Sequence, residues 1–215
     1  MKITTAIVAV AGIAAVANAG VTINEVLGST PSTDSEFFEL YNTTGADVDL
    51  SGWQIELWDS DSSTAGFGGS DAGAPYALTG TITAGGYYTL ANAQAQSFLS
   101  FSADQTIGAN SIENGSYTII LRDAMGSIVE SILVTDDDGV ANEAGVAITP
   151  DAVVGPDGMF LPAGFYRVGD GASTFGILEF DQAPASATAG FANIPAPGAL
   201  ALLGLGGLAT ARRRR

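Results

Sequence analysis

The sequence predicts an all-β domain with a core between two sheets, and three observations lead to this prediction. Short segments of alternating apolar and polar residues recur along the chain, separated by Gly, Asn, Asp, Ser and Thr. In the segment 36–42, Phe37, Glu39 and Tyr41 share one face and apolar residues take the other, so both faces are at least partly covered. Residues 20–180 are also numerous enough to build a two-sheet core without disulfides.

The elements can be placed in chain order from these patterns. The predicted strands are residues 21–27, 36–42, 48–50, 54–58, 87–90, 116–122, 127–134, 160–168 and 175–180. A short helix is predicted around residues 93–101. Residues 59–75 and 136–164 are predicted to be loops, because they are rich in Asp, Ser, Gly and Pro. Trp53 follows Gly52 at a chain reversal and is predicted to lie at the centre of the core.

The clearest predicted hairpin joins residues 116–122 to residues 127–134 through the turn 123–126. Both of its faces are largely apolar, which indicates a position at the middle of a sheet. Tyr117, Ile119 and Leu121 are predicted to share a face of the first strand, and Ile128, Ile132 and Val134 are predicted to share a face of the second strand.

Three segments in this order, INEV (23–26), EFFELYN (36–42) and VDLSGWQI (48–55), resemble the lamin-tail domain. The similarity continues more weakly through residues 80–91 and 116–134. The resemblance implies an immunoglobulin-like β-sandwich with long loops over residues 20–180, of a family found in nuclear lamins and in many secreted bacterial proteins.

The N-terminal residues 1–19 have the composition of a secretory signal peptide. Lys2 precedes an apolar run, and the sequence Ala-Asn-Ala at 17–19 forms an A-x-A cleavage pattern. Cleavage is therefore predicted between Ala19 and Gly20.

The C-terminal residues have three parts that follow a predicted flexible linker, residues 181–194. They are Pro195, Ala196 and Pro197, then the apolar run 199–211, then Arg212, Arg213, Arg214 and Arg215. This arrangement resembles the PEP-CTERM sorting signal, with Ala196 where the name-giving motif has Glu. The resemblance implies an exosortase-like membrane protease as a partner, transient membrane insertion through an apolar helix, and export to the envelope, cell surface or medium. The terminal arginines are expected to stay on the cytoplasmic side.

The charge distribution argues against nucleic acid as a partner. All 23 Asp and Glu residues lie between Glu25 and Asp181, whereas Arg122 and Arg167 are the only basic residues of that span. Such a surface repels phosphate backbones and offers almost no cations to neutralise them. Extracellular polysaccharide or surface proteins are the partners that this composition leaves open.

The chain lacks the side chains of most catalytic centres. It has no His and no Cys, and its one lysine lies in the predicted signal peptide. Ser-His-Asp, Cys-His and lysine-based catalysis are thereby excluded, and only carboxylate pairs remain. Glu36 and Glu39 have an odd spacing that turns them to opposite sides of a strand, and Asp59 and Asp61 adjoin a predicted loop. We therefore predict no enzyme and no required cofactor.

The acidic segment 136–143 is the candidate metal site. Asp136, Asp137, Asp138 and Glu143 offer oxygen ligands of the kind calcium prefers, although their spacing differs from that of an EF-hand loop. An ordinary solvated loop is the other interpretation. The sequence thus predicts an exported structural or interaction module, with a calcium-dependent carbohydrate-binding module as the alternative and a carboxylate-based glycoside hydrolase third.

Overall fold

The computed structural model describes residues 20–28, 30, 34–62, 64–67, 74–158, 160–179 and 187–193. These residues form an immunoglobulin-like all-β sandwich with one short helix. The strands are β1 Val21–Leu27, β2 Phe37–Asn42, β3 Val48–Asp49, β4 Gln54–Asp61, β5 Thr64–Phe67, β6 Tyr76–Ala77, β7 Thr81–Ile82, β8 Tyr87–Ala91, β9 Gln105–Thr106, β10 Tyr117–Arg122, β11 Ile128–Val134, β12 Asn142–Glu143, β13 Val146–Ala147, β14 Ala152–Val154, β15 Gly164–Arg167 and β16 Phe175–Leu178, and the helix is α1 Ala93–Leu99.

Two sheets carry most of these strands. The first sheet has the order β16-β15-β1-β2-β8-β9, and the second has the order β14-β11-β10-β4-β5, with β6 also paired to β4. The pairs β12-β13 and β3-β7 stand apart from both sheets. The first sheet is antiparallel except where β9 joins β8, and the second is antiparallel except where β14 joins β11.

The main core lies between the sheets, where the alternation of side chains along each strand delivers apolar groups. Phe38 and Leu40 point into it from β2, and Ile119 points into it from β10. Trp53 is buried in the same cluster, with 7% of its surface exposed. The predicted placement of Trp53 in the core is confirmed.

A second apolar cluster lies on the opposite face of the first sheet. Phe37 of β2 packs there with Leu27 of β1, Ala95 of α1 and Ala189 near the C-terminus. Asn92 begins the helix by accepting a hydrogen bond from the Ala95 amide at 2.8 Å. Both faces of β2 are therefore covered, as its sequence predicted.

A buried ion pair ties the two sheets together at their β15 and β11 sides. The Arg167 guanidinium on β15 donates to the Glu130 carboxylate on β11 and, at 2.7 Å, to the carbonyl of Ile23. Its third donor binds the carbonyl of Ala172, and its charged head lies 4.6 Å from the ring centre of Phe175. The guanidinium is thus fully engaged inside the fold.

The hairpin β10–β11 is central, as predicted, because β10 pairs with both β4 and β11. The predicted face is wrong at one position. A register shift between Leu121 and Arg122 turns Ile128 outward, where it is 40% exposed, and brings Val129 against the core instead. An extra residue in one strand of a pair moves the side chains beyond it to the other face.

The loop predictions need two further corrections. Residues 59–61 and 64–67 are not loop, because β4 continues to Asp61 and pairs with β5. Residues 136–164 contain the short strands β12, β13 and β14. In both regions, backbone pairing with a neighbouring strand outweighs the turn-forming side chains.

Candidate functional site

The outer face of the first sheet carries a group of buried polar side chains whose position depends on a bulge in β1. Ile23 pairs with Leu40, but Glu25 pairs with Glu39, so the extra residue Asn24 shifts the register. Ile23 and the residue after Glu25 therefore face the core, whereas Asn24 and Glu25 both face outward.

Glu39 lies directly across from Glu25 on β2, and both side chains are fully buried. The amide of Asn24 donates to the Glu39 carboxylate at 2.7 Å and to Asp170 at 3.0 Å. Tyr87 donates its hydroxyl to the other oxygen of Asp170 at 2.6 Å. The Glu39 and Asp170 carboxylates thus share one amide, and Glu25 lies beside Glu39 in the sheet.

Residues 187–193, which we call the strap, cover this group. The Thr188 amide and hydroxyl donate to Glu25 at 3.0 and 2.6 Å, and the Gly190 amide donates to Glu39 at 2.6 Å. The Asn193 amide donates to Asp170 at 3.0 Å. The strap thus offers a hydrogen-bond donor to every carboxylate of the group.

The docked strap contradicts part of the prediction that residues 181–194 form a flexible linker. Residues 187–193 do not form a free linker, because Ala189 and Asn193 are buried against the sandwich. Alanine, glycine and threonine are common in linkers, yet they also permit close packing and main-chain hydrogen bonds against a sheet. The remaining residues of the predicted linker, 181–186 and 194, lie outside the described residues.

Burial controls the protonation of the covered carboxylates. Loss of hydration raises the pKa of Glu39 to about 8 and that of Glu25 to about 7, although hydrogen bonds from Asn24 and Thr188 offset part of the effect. The nearby charge of Asp170 raises both further. None of the ion pairs among the described residues includes Glu25, Glu39 or Asp170. Hydrogen bonds therefore compensate these carboxylates without any counter-charge.

The nominated pair Glu36 and Glu39 is not brought together. The Glu36 carboxylate accepts hydrogen bonds from the amides of Ser111 and Ile112 at 2.9 and 2.8 Å, and from the side chain of Asn92 at 3.2 Å. Burial raises the pKa of Glu36 to about 7. Its contacts hold a loop, whereas Glu39 belongs to the group under the strap.

The other nominated pair, Asp59 and Asp61, lies at the end of β4. Asp59 accepts a hydrogen bond from the Asp61 amide at 3.1 Å, and Asp61 accepts one from the Ser116 amide at 2.8 Å. Each carboxylate thus caps backbone groups near a strand end.

The predicted metal ligands have different partners: Glu143 binds an arginine, whereas Asp136 and Asp138 bind serine hydroxyls. Glu143 pairs with Arg122, which also binds Glu56 at 2.8 Å. Asp136 accepts the hydroxyl of Ser116 at 2.7 Å. Asp138 accepts the hydroxyl of Ser62 at 2.6 Å, whereas Asp137 has its backbone in the left-handed region. No group of three acidic side chains suited to a metal ion is found in the part of the chain that the structure describes. Calcium binding here stays a prediction.

Glu25 and Asp170 were missed as site residues, and one signal in the sequence pointed to the first of them. Asn24 and Glu25 interrupt a strand that is otherwise apolar except for Thr22, and charged residues are seldom fully buried without dedicated partners. Asp170 offered no such signal, because it lies in a glycine-rich turn that looks like an ordinary exposed loop.

The sorting residues fall almost entirely outside the described residues. Ala19, Pro195, Ala196, Pro197 and the four terminal arginines are among those not described, and the predicted signal peptide and C-terminal apolar helix lie there as well. Within the described ranges no helix is long and apolar enough to cross a membrane. Gly20, the first described residue, accepts a hydrogen bond from the Thr43 hydroxyl at 2.9 Å.

Comparison with known families adds two matches. The Lamin Tail Domain model matches residues 14–136, and the model of the PEP-CTERM protein-sorting motif matches residues 193–215. No curated protein matches the chain significantly. The sorting motif indicates export to the cell envelope or surface and implies processing by exosortase, a membrane protease. Because the first match spans more than half of the sequence and the structure has the immunoglobulin-like sandwich it requires, the chain belongs to the lamin tail domain family.

Proposed function

We propose that this protein is a non-catalytic structural or interaction module of the cell surface or extracellular matrix, delivered through its C-terminal sorting motif. It acts by position and contact, and not by turnover. The observation that carries this proposal is that the buried carboxylates, the acid groups best suited to catalysis, are each capped by hydrogen bonds that hold the fold together.

Glu25 and Glu39 illustrate the point. They are the acid pair that the fold brings side by side, and their raised pKa values are of the kind seen in general acids. Their side chains are nevertheless fully buried, and the strap donates to both. A substrate cannot reach them while the strap is in place, which supports a structural role for the pair.

The arginines support the same proposal. Arg122 and Arg167 both form internal ion pairs, so neither guanidinium is available to hold an anionic substrate. The remaining surface charge of the described residues is acidic. Such a surface favours solubility and contact with neutral polysaccharide or with cationic surface proteins.

The delivery part of the proposal is tested by ending the chain at residue 194. The truncated protein should keep the melting temperature of the full chain, because the strap is retained, but should appear in the medium or periplasm instead of on the surface. Surface retention of the truncated protein would contradict delivery through the sorting motif.

The non-catalytic part is tested with purified protein and a panel of polysaccharides. No cleavage is expected from the natural sequence or from Glu39→Gln. Cleavage by the natural sequence that is lost in Glu39→Gln would show a hydrolase and overturn the proposal.

A further inference from the structure

The strap ends at the residue where the match to the sorting motif begins. Asn193 is the last described residue before the C-terminus and the first residue matched by the sorting-motif model. When the strap is docked, the first residue of the motif match is therefore held against the sandwich, where the Asn193 amide donates to Asp170.

Docking engages the hydrogen-bonding groups of the strap's own backbone. The amides of Thr188, Gly190 and Asn193 donate to carboxylates of the sandwich, and the Asn193 side chain donates to the carbonyl of Asn24 at 3.3 Å. Recognition of an extended peptide commonly uses its main-chain hydrogen-bonding groups. A protease cannot use these groups while the sandwich holds them.

The docked strap makes contacts that favour docking, and it also covers carboxylates whose burial opposes docking. Five hydrogen bonds and the burial of Ala189 favour the docked state. Dehydration of Glu25 and Glu39 opposes it, because undocking returns both carboxylates to water.

We propose that the sandwich binds residues 187–193 as an intramolecular ligand and thereby restricts access of the processing protease to the sorting motif, so that cleavage follows release of the strap. This inference deepens the proposed function, since it rests on sorting through the C-terminal motif. The binding site consists of Asn24, Glu25, Glu39 and Asp170, and the strap fits it through backbone donors.

Gly190 allows a clean perturbation of docking. Its φ is +81°, and a Cβ added there would have no atom within 4 Å, so Gly190→Ala introduces backbone strain without a clash. Such strain should raise the undocked population about tenfold. Gly190→Pro cannot adopt this φ and also removes the amide that donates to Glu39. Gly126, with φ +80° and equally open surroundings in the β10–β11 turn, provides the matched control Gly126→Ala.

The first experiment treats the purified full chain with proteinase K and maps cuts within residues 187–197 by mass spectrometry. We expect cutting there to be about tenfold faster in Gly190→Ala than in the natural sequence, faster still in Gly190→Pro, and unchanged in Gly126→Ala. Equal rates in the natural sequence and both Gly190 variants would overturn docking. If Gly190→Pro fails to fold, Thr188→Ala replaces it in the proteolysis assay. Hydrogen exchange of the natural sequence over residues 187–193 then tests docking directly. Exchange there as fast as in an unfolded peptide would overturn docking as well.

The second experiment follows conversion of precursor to processed protein in the cells that sort it. Gly190→Ala should be processed faster than the natural sequence and Gly126→Ala at the natural rate. Unchanged or slower processing of Gly190→Ala would overturn the access proposal. Because the proteolysis assay uses no sorting machinery, a failure of sorting itself is distinguishable from a failure of docking.

Discussion

Replacing Arg167 by methionine should destabilise the protein more than most single substitutions. Methionine keeps the apolar stem but removes every donor of the guanidinium. The Glu130 carboxylate, whose side chain is 14% exposed, then loses the one ion pair that it forms among the described residues, and the carbonyls of Ile23 and Ala172 lose a donor each. Breaking a buried ion pair by removing one partner costs about 3–5 kcal/mol, so we expect a loss of this size.

The assay is urea unfolding monitored by tryptophan fluorescence, with a thermal melt alongside. For a domain of this size, the loss should lower the melting temperature by about 6–20 °C. Arg122→Met is the matched control. Its partner Glu143 keeps 30% of its side-chain surface in contact with water. Its other partner, Glu56, is buried but keeps hydrogen bonds from the side chains of Gln54 and Trp58 at 2.8 and 3.0 Å, so the control should lose only about 1–2 kcal/mol.

A second substitution identifies the cause of the loss. Glu130→Gln removes the charge but keeps an oxygen that can accept the Ile23 amide, now bonded to Glu130 at 2.8 Å. Arg167→Met combined with Glu130→Gln should therefore be more stable than Arg167→Met alone, at about 1–3 kcal/mol below the natural sequence. A double variant no more stable than Arg167→Met, or an Arg167→Met loss no larger than that of Arg122→Met, would refute this reasoning.

Three further predictions concern the core, the covered carboxylates and the acidic loop. Trp53→Ala should cost about 3–5 kcal/mol by cavity formation, and a near-native melting temperature would show that the indole contributes little to the core. Glu25 and Glu39 have folded-state pKa values of about 7 and 8, above the ordinary value of 4.5, so their contribution to stability is present at low pH and is lost as the pH rises through 7 to 8. Urea midpoints should accordingly fall between about pH 5 and pH 9, less so in Glu39→Gln, and a flat profile would contradict the raised values. If residues 136–143 bind calcium, calcium at ten times its dissociation constant should stabilise the protein by about 1.4 kcal/mol, and Asp138→Asn should weaken the effect. Absence of both calorimetric heat and a thermal shift at millimolar calcium would remove that prediction.

The sequence by itself determined the fold class and the C-terminal sorting motif. Alternation along β10 predicted that Tyr117, Ile119 and Leu121 share a face, and the structure places all three in the core, because a side chain's face in a strand follows from its position along the strand. The family resemblance and the sorting motif were likewise legible in contiguous residues. Such features depend on neighbours in the chain, and these are what a sequence displays.

Only the tertiary structure decided what the acidic residues do. The bulge at Asn24 turns Glu25 outward, and no local pattern announces a bulge, since the extra residue is defined by the partner strand. The strap looked like a linker because three of its donors to the sandwich are backbone amides, which every sequence carries alike. Their role depends on their acceptors. Glu39 lies 151 residues before Gly190, and Asp170 lies 23 residues before Asn193, and only folding brings groups so far apart in sequence within hydrogen-bond distance.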